Sequence, residues 1–295
     1  MKLDSLLKYE TTENGECIIL GVTDEEITDI LLPENTVSIE KMAFADCSSL
    51  KSIRIPPSVR YIGERAFSYC LSLESVDIPN GVQEISEGTF WGCESLCQVT
   101  IPDNVASIGK NAFYGCSSLS SVKLPEGVTD IPSGLFCGCR ALKRLNLPSG
   151  IKEIGEYAFS ACSSLEELNL PQVLEVLSPW CISGCRSLSA ISLPDSLYKI
   201  GERCFLGCES LKTLTVPKAV QSVGQSILAE CPSLHSVFIQ RNSIPEEWER
   251  DWADFSEAAI YTLCDYSVTL SEPLSYAPIH ITRQSHANEP DELPF

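Results

Sequence analysis

The sequence predicts an α/β repeat solenoid, in which about ten coils of 23 residues stack around one shared core. Three observations predict it. A cysteine recurs every 23 residues, a leucine follows each cysteine by three residues, and a proline recurs with the same period. Chance does not keep three residue types in phase over nine periods. The nine cysteines are Cys47, Cys70, Cys93, Cys116, Cys139, Cys162, Cys185, Cys208 and Cys231.

The first half of each unit predicts a short strand. One unit reads CSSLKSIRIPPSVRYIGERAFSY, and its residues Leu50, Ile53 and Ile55 are spaced L-x-x-I-x-I. The two isoleucines alternate with polar residues, which is typical of a strand with one buried face. Pro56 ends the strand, because proline has no N–H to donate to a neighbouring strand.

The second half of the unit predicts a bend and a short helical segment. Gly63 marks a bend that needs a permissive backbone. The run 64–67 is compatible with a helix of one turn or so. Phe67 and Cys70 are expected to point inward. A single unit cannot bury its apolar face alone, so we expect stacked units to form a parallel sheet in which identical residues lie above one another.

These residues carry a family resemblance. The pattern C-x-S-L-x-x-[IVL]-x-[IVL]-P-x-x-[VIL]-x-x-I-G-x-x-A-F over residues 24–240 resembles the BspA-like, or treponemal-type, leucine-rich repeat. The resemblance implies a leucine-rich-repeat solenoid with a parallel sheet on one face and short helical or irregular segments on the other. We expect the coil to be a right-handed superhelix. Members of this family are often secreted adhesins and binding proteins, whereas this chain shows no signal peptide or surface anchor.

The start and end of the pattern predict four segments. They are an N-terminal cap at 1–23, the repeats at 24–240, a C-terminal cap at 241–278 and a flexible acidic tail at 279–295. In the C-terminal cap, Trp248, Trp252 and Phe255 recur at helical spacing, and we expect them to plug the open core rather than to stack on a ligand. Residues 264–278 are expected to add one irregular strand.

Two units depart from the pattern. Residues 131–134 read IPSG, so proline replaces the usual glycine, and residues 177–182 read LSPWCI, which replaces glycine, alanine and phenylalanine together. Two interpretations stay open: drift of the repeat with compensating packing, or a local surface feature that contacts a partner.

Charge excludes some partners. The formal net charge is −19, and most of the excess lies in the two ends of the chain. Such a chain repels the phosphates of nucleic acid and an anionic membrane surface, so we expect neither as a partner. The polar ends are expected to serve as solubilising caps, with recruitment of a basic partner as the alternative. We expect a monomer.

The N-terminus predicts the compartment. It lacks a basic run followed by an apolar stretch, and the sequence has no apolar run long enough to span a bilayer. We therefore expect a cytoplasmic protein, with secretion or a cell-surface location as the alternative.

The sequence predicts neither an enzyme nor a cofactor. Cysteine or serine nucleophiles need a nearby base, and the chain has only three histidines, His235, His280 and His286. No phosphate-binding glycine motif occurs, and the cysteine spacings do not fit a zinc site. We interpret the nine periodic cysteines as small buried hydrophobic residues rather than as disulfide partners or metal ligands.

Two surfaces are candidate binding sites. The outward positions of the predicted sheet form a polar face of the kind that repeat proteins use for binding. Its candidate residues are Arg54, Asp77, Thr100, Lys123, Arg144, Asn146, Glu167 and Asn169. The second candidate is an aromatic patch, because Trp91 and Tyr114 occupy the same position in consecutive units.

The leading hypothesis is therefore a non-enzymatic protein-interaction scaffold of bacterial type that uses the sheet face. The alternative is a cell-surface or secreted adhesin, or a glycan-binding protein, which the family resemblance and the aromatic patch favour. The partner is expected to be another protein, with glycan as the alternative ligand.

Overall fold

Each 23-residue unit forms one coil of a β-solenoid, and consecutive coils stack in register. The structure, a computed structural model, describes residues 6–246, 248, 251–253, 258–263 and the backbone of 276–279. A regular coil has three sides: a strand in a first sheet, a shorter strand in a second sheet, and a series of turns that closes the coil.

The described residues form twenty strands, which are numbered in chain order. They are β1 (Leu7–Thr11), β2 (Cys17–Val22), β3 (Asp29–Leu31), β4 (Thr36–Ile39), β5 (Ser52–Arg54), β6 (Tyr61–Ile62), β7 (Ser75–Asp77), β8 (Glu84–Ile85), β9 (Gln98–Thr100), β10 (Ser107–Ile108), β11 (Arg144–Asn146), β12 (Glu153–Ile154), β13 (Glu167–Asn169), β14 (Val176–Leu177), β15 (Lys199–Ile200), β16 (Thr213–Val216), β17 (Ser222–Val223), β18 (Ser236–Ile239), β19 (Ala259–Leu263) and β20 (Tyr276–Ile279).

The first sheet is the one that the L-x-x-I-x-I spacing predicts. Its strands pair in parallel in the order β3-β5-β7-β9, then β11-β13, then β16-β18-β19, and β20 pairs with β19 antiparallel. Partners lie one unit apart, as with Leu145 and Leu168. The second sheet was not predicted. It contains β4-β6, β8-β10 and β12-β14-β15-β17, and the antiparallel pair β1-β2 covers its N-terminal end.

The first sheet is interrupted at two coils, over 121–123 and 190–192. In regular coils a lateral backbone bond precedes the strand; Cys97 N, for example, donates to Glu74 O over 3.0 Å. Within the described part of the chain, Ser120 and Ser189, at the equivalent position of the interrupted coils, donate no such bond, and neither does Lys143 in the coil that follows the first interruption. The inward residues of these two coils, Val122 and Ile191, are accordingly only partly buried.

The expected helical segment is absent, because successive turns replace it and the described residues contain no helix. Two positions in each coil have a positive φ and break the helical hydrogen-bond pattern, as Arg65 (54°) and Tyr69 (57°) do. We call this side the turn face. The first position holds Met42, Arg65, Gly88, Asn111, Gly134, Tyr157, Trp180, Arg203 and Ser226, and the second holds Asp46, Tyr69, Gly92, Gly115, Gly138, Ala161, Gly184, Gly207 and Glu230.

Gly63 is needed because there is no space for a side chain at this position, and not because of its backbone angle. Its φ is not in the left-handed region, but a Cβ built on it would lie 2.5 Å from the backbone nitrogen of Lys41 in the preceding coil. Glycine therefore permits close approach of consecutive coils at this corner.

The core is a set of parallel columns. Phenylalanine rings stack from Phe44 to Phe159 with centroid separations of 5.3–5.7 Å, and the column ends at Ile182. The nine periodic cysteines lie beside this column, all buried.

At the C-terminal end of the core, Trp248 and Trp252 are buried in an edge-to-face contact with ring centroids 5.2 Å apart. Phe255 lies outside the described residues, and so does the predicted tail apart from Ile279, the last residue of β20. Strand β20 lies in the region where an irregular strand was expected. The four segment boundaries and the handedness of the coil stay predictions.

Candidate functional site

The outward side of the first sheet, the sheet face, carries the predicted binding residues. Because side chains alternate along a strand, the first and third residues of each strand point to solvent, and the burial pattern of β5, β7, β9, β11 and β13 follows this alternation. Lys123 is the exception, because it lies in the first interruption and not on a strand.

Neighbouring side chains on this face bond to one another along the direction of stacking. Thr100 Oγ1 donates to Asp77 Oδ1 over 2.7 Å, and Asn169 Nδ2 donates to Asn146 Oδ1 over 2.8 Å. Asn169 Nδ2 also donates to Glu167 Oε1 over 3.0 Å. The structure therefore joins the predicted residues into short lateral ladders, which hold these side chains in fixed positions.

The basic residues of the sheet face are paired with acids. Arg54 lies 3.2 Å from Glu34, and Lys123 lies 3.0 Å from Asp103. Arg144 lies 3.7 Å from Glu167. Exposed pairs of this kind contribute little stability, so an incoming partner can exchange them for its own charges at small cost.

The second interruption forms a depression in the sheet face. Its volume is about 700 Å³, and its walls include Asn169, Ile191, Asp195 and Thr215. Sequence reasoning missed this cavity. The serine at position 189 is the signal that accompanies it, and the same serine occurs at the other interruption.

An aromatic pair lies near the C-terminal end of the sheet face. The rings of Phe238 and Tyr261 stack with centroids 5.2 Å apart, and both residues are partly exposed. Sequence reasoning missed Tyr261, because the repeat pattern fades before β19.

The predicted aromatic patch lies on the turn face. Trp91 and Tyr114 contact each other with ring centroids 4.9 Å apart and an interplanar angle of 41°. The guanidinium of Arg65, which sequence reasoning missed, lies 5.2 Å from the Trp91 ring. Trp91 is therefore packed between the coils before and after it and is only partly exposed, whereas Tyr114 is exposed.

A second stack of the same composition occurs farther along the turn face. Tyr157 and Trp180 stack with centroids 5.8 Å apart, and the Arg203 guanidinium lies 4.9 Å from the Trp180 ring. Trp180 belongs to one of the two irregular units, and this unit therefore contributes to a surface cluster. In the other irregular unit, Ile131 forms only an isolated bridge with Ile154.

The buried thiols do not form a reactive centre. Burial raises the pKa of Cys93, Cys139 and Cys185 well above the ordinary thiol value, so these groups stay protonated and poorly nucleophilic. Cys181 and Cys204, in adjacent coils, bring their sulfur atoms within 3.4 Å of each other. All fourteen cysteines of the described residues are free.

Other site chemistry is lacking in the part of the chain that the structure covers. His235 is exposed and lies 3.0 Å from Ser236 Oγ, while His280 and His286 lie outside the described residues. No group of three histidine, cysteine or carboxylate side chains within the described ranges could hold a metal ion. No helix of these residues is long and apolar enough to cross a membrane.

The BspA type leucine rich repeat region model matches the chain in six copies over residues 23–143 and 129–247. A leucine-rich repeat protein from Bacteroides ovatus is 30% identical, with a TM-score of 0.66, over 79% of this chain and 70% of that one. The leucine-rich repeat protein of Treponema pallidum is 33% identical, with a TM-score of 0.58, over 62% of this chain and 88% of that one.

The pneumococcal vaccine antigen PcpA is 23% identical over 87% of this chain and 78% of its own, with a TM-score of 0.55, which shows a shared fold alone. No curated protein matches the chain. Repeat solenoids of this kind present extended surfaces that serve as binding scaffolds. The resemblance that the sequence pattern indicated is confirmed, and the chain belongs to the family of bacterial leucine-rich repeat proteins with BspA type repeats.

Proposed function

We propose that the chain is a non-enzymatic scaffold whose sheet face binds a partner protein. The observation that carries the proposal is the lateral bonding of outward side chains, Thr100 to Asp77 and Asn169 to Asn146. Side chains that are already fixed lose little rotamer freedom on binding, which lowers the cost of association. The depression at the second interruption adds a concave element that a partner side chain can fill.

The test compares two charge-reversed variants with the same number of substitutions. The first carries Arg54→Glu, Lys123→Glu and Arg144→Glu on the sheet face. The control carries Arg60→Glu, Lys152→Glu and Arg186→Glu, which are equally exposed, paired with acids and placed off that face. Affinity capture from host lysate should recover the same protein with the wild type and the control and lose it with the sheet-face variant. A partner that all three proteins retain would count against the sheet face.

A second candidate function is that of a surface or secreted adhesin that binds glycan. The exposed aromatic residues around Trp91 and Tyr114 favour it, because aromatic rings stack on the apolar faces of sugars. We propose the cytoplasm as the place of action of the protein scaffold, and fractionation of the source cells separates the two candidates. Protein recovered outside the cell would favour the adhesin.

The proposed form of the scaffold is a monomeric right-handed superhelix. Crossover connections between parallel strands are right-handed in about 98% of known cases, which supports the handedness. The edge strand β1 disfavours end-to-end association, because four of its five residues are exposed and two of these, Lys8 and Glu10, are charged. Light scattering should give the mass of one chain, and a concentration-dependent dimer would contradict the monomer.

A further inference from the structure

A groove opens on the turn face beside the predicted aromatic patch. Its volume is about 190 Å³, and it is lined by Met42, Asp46, Arg65, Ser68, Tyr69 and Trp91. These residues come from three consecutive coils. The groove therefore exists only in the stacked solenoid and combines aromatic, cationic, carboxylate and hydroxyl groups in one place.

Four of the six lining residues have left-handed backbone angles without being glycine. The φ angles are 57° at Met42, 63° at Asp46, 54° at Arg65 and 57° at Tyr69. Left-handed angles are unfavourable for residues with a Cβ, and glycine is the usual solution.

The chain itself uses glycine at equivalent positions elsewhere. The position of Asp46 and Tyr69 holds glycine in five other coils: Gly92, Gly115, Gly138, Gly184 and Gly207. Residues with a Cβ hold left-handed angles elsewhere on the turn face as well, such as Tyr157 and Ala161, but here four of them line one groove, which points to a use for the side chains they display.

The Arg65 side chain is held in place without an acidic partner. Its guanidinium packs over the Trp91 ring, and within the described residues it forms no ion pair, although the protein carries an excess of acids. Its N–H groups therefore remain available to a ligand.

The Tyr69 ring is also held in a fixed position. A Cβ built on Gly92 would lie 2.8 Å from Tyr69 Cδ1, so the ring packs against the backbone of the next coil. The residue is still 48% exposed. One face of the ring is thus supported by protein while the residue stays accessible to a ligand.

We infer that this groove binds one pyranose ring of a neutral glycan. The open face of Tyr69 stacks on the C–H groups of the sugar, while Arg65 donates hydrogen bonds to its hydroxyl groups and Asp46 accepts them. Trp91 does not serve as the platform, because Arg65 and Tyr114 already pack against it. The carboxylate of Asp46 in the wall makes an anionic sugar a poorer fit. The inference rests on the second candidate function and names its site and ligand class.

The test is a titration with methyl glycosides of glucose, galactose, mannose and N-acetylglucosamine, and with their tetrasaccharides, followed by calorimetry and by tryptophan fluorescence. At least one series should bind the wild type, with Kd values of roughly 1 mM for the single sugar and tighter binding for the tetrasaccharide. Failure of every probe to bind would overturn the site.

Tyr69→Gly is the decisive variant, because glycine suits the left-handed backbone at this position. It should lose at least tenfold in affinity while its melting temperature stays the same or rises. The matched control is Tyr157→Gly, which removes an equally exposed tyrosine with a φ of 57° elsewhere on the turn face and should leave binding unchanged. Equal loss in both variants, or none in Tyr69→Gly, would contradict the assignment.

The sugar-binding test can fail or succeed independently of the affinity-capture test of the sheet face. If sugar binding fails while the sheet-face variant still loses its protein partner, only the glycan site is rejected. If Tyr69→Gly loses a captured protein and no sugar binds the wild type, the groove is a protein contact and the inference is wrong.

Discussion

The thiol of Cys70 donates a hydrogen bond to the carbonyl oxygen of Phe44 in the preceding coil, over 3.1 Å. The equivalent bond recurs in the later coils, from Cys93 to Phe67 through to Cys231 to Phe205, and Cys208 donates to the carbonyl of Ile182, which replaces phenylalanine there. The phenylalanine carbonyl also accepts the backbone N–H of the cysteine in its own coil, as Phe44 O does from Cys47 N. The cysteine column therefore joins consecutive coils through a buried polar contact as well as by packing.

Replacement of Cys116 tests whether the thiol acts as a donor. Cys116 Sγ donates to Phe90 O over 3.2 Å, and both residues are fully buried. Cys116→Ala should lower the free energy of unfolding by about 2 kcal/mol, because it removes both packing and the bond. Cys116→Ser keeps a donor and should cost about half as much. Urea unfolding followed by circular dichroism measures both, and a serine variant less stable than the alanine variant would show that a donor at this position does not stabilise the stack.

The buried thiols predict a loss of stability at alkaline pH. Burial raises the pKa of Cys47 and of Cys231 to about 11, and it raises that of Cys93 and Cys139 well above the ordinary thiol value. The unfolded chain releases thiol protons above its ordinary pKa of about 8.5, whereas the folded protein keeps them, so stability falls as the pH rises beyond that value.

Each such thiol contributes a slope of about 1.4 kcal/mol per pH unit in this range. Because the column holds nine cysteines, we expect the protein to unfold between about pH 9 and pH 11. Circular dichroism and the thiolate absorbance at about 240 nm should change together, with tyrosine ionisation recorded separately as a control. Thiolate formation near pH 8.5 with unchanged circular dichroism would contradict the prediction.

The stacked rings of the phenylalanine column predict a position-dependent effect. Phe113 lies 5.5 Å from Phe90 and 5.7 Å from Phe136, whereas the coils on either side of Phe205 carry Ile182 and Leu228. Both phenylalanines are fully buried, so replacement by isoleucine costs similar packing at each.

Phe113→Ile should therefore be less stable than Phe205→Ile by about 1–3 kcal/mol, which corresponds to two lost ring contacts. Thermal and urea unfolding measure the difference in stability between the two variants. Equal destabilisation would mean that the aligned rings contribute no more than their apolar area.

The repeat made the core predictable, whereas the surface clusters depend on geometry that the sequence pattern does not encode. The spacing of Leu50, Ile53 and Ile55 predicted the first sheet, because a strand with one buried face alternates apolar and polar residues. The turn face was expected to be helical, because the glycines that recur at the Tyr69 position in five other coils were not recognised as a sign of a left-handed angle, and the residues at Arg65 and Tyr69 give no such sign themselves. Arg65 could not be connected with Trp91 before the turn that brings them together was known.

Close approach at one corner of the coil predicts opposite effects for two glycines of the same unit. A Cβ on Gly155 would lie 2.7 Å from the backbone nitrogen of Ser133, whereas a Cβ on Gly150 would meet nothing within 4 Å. Neither residue has a left-handed φ, so backbone strain does not separate them. Another coil accommodates Ser86 at the position of Gly155, which shows that consecutive coils can shift apart slightly there.

Gly155→Ala should therefore cost about 1–3 kcal/mol by overpacking, which is less than a rigid clash would impose. Gly150→Ala should be neutral or stabilise slightly, because alanine reduces the freedom of the unfolded chain. The two variants differ only in which side of the coil receives the methyl group, so the difference between their urea midpoints reports the coil-to-coil contact directly. Equal midpoints would mean that consecutive coils move apart at this corner at little cost and that close approach does not fix the spacing of the coils.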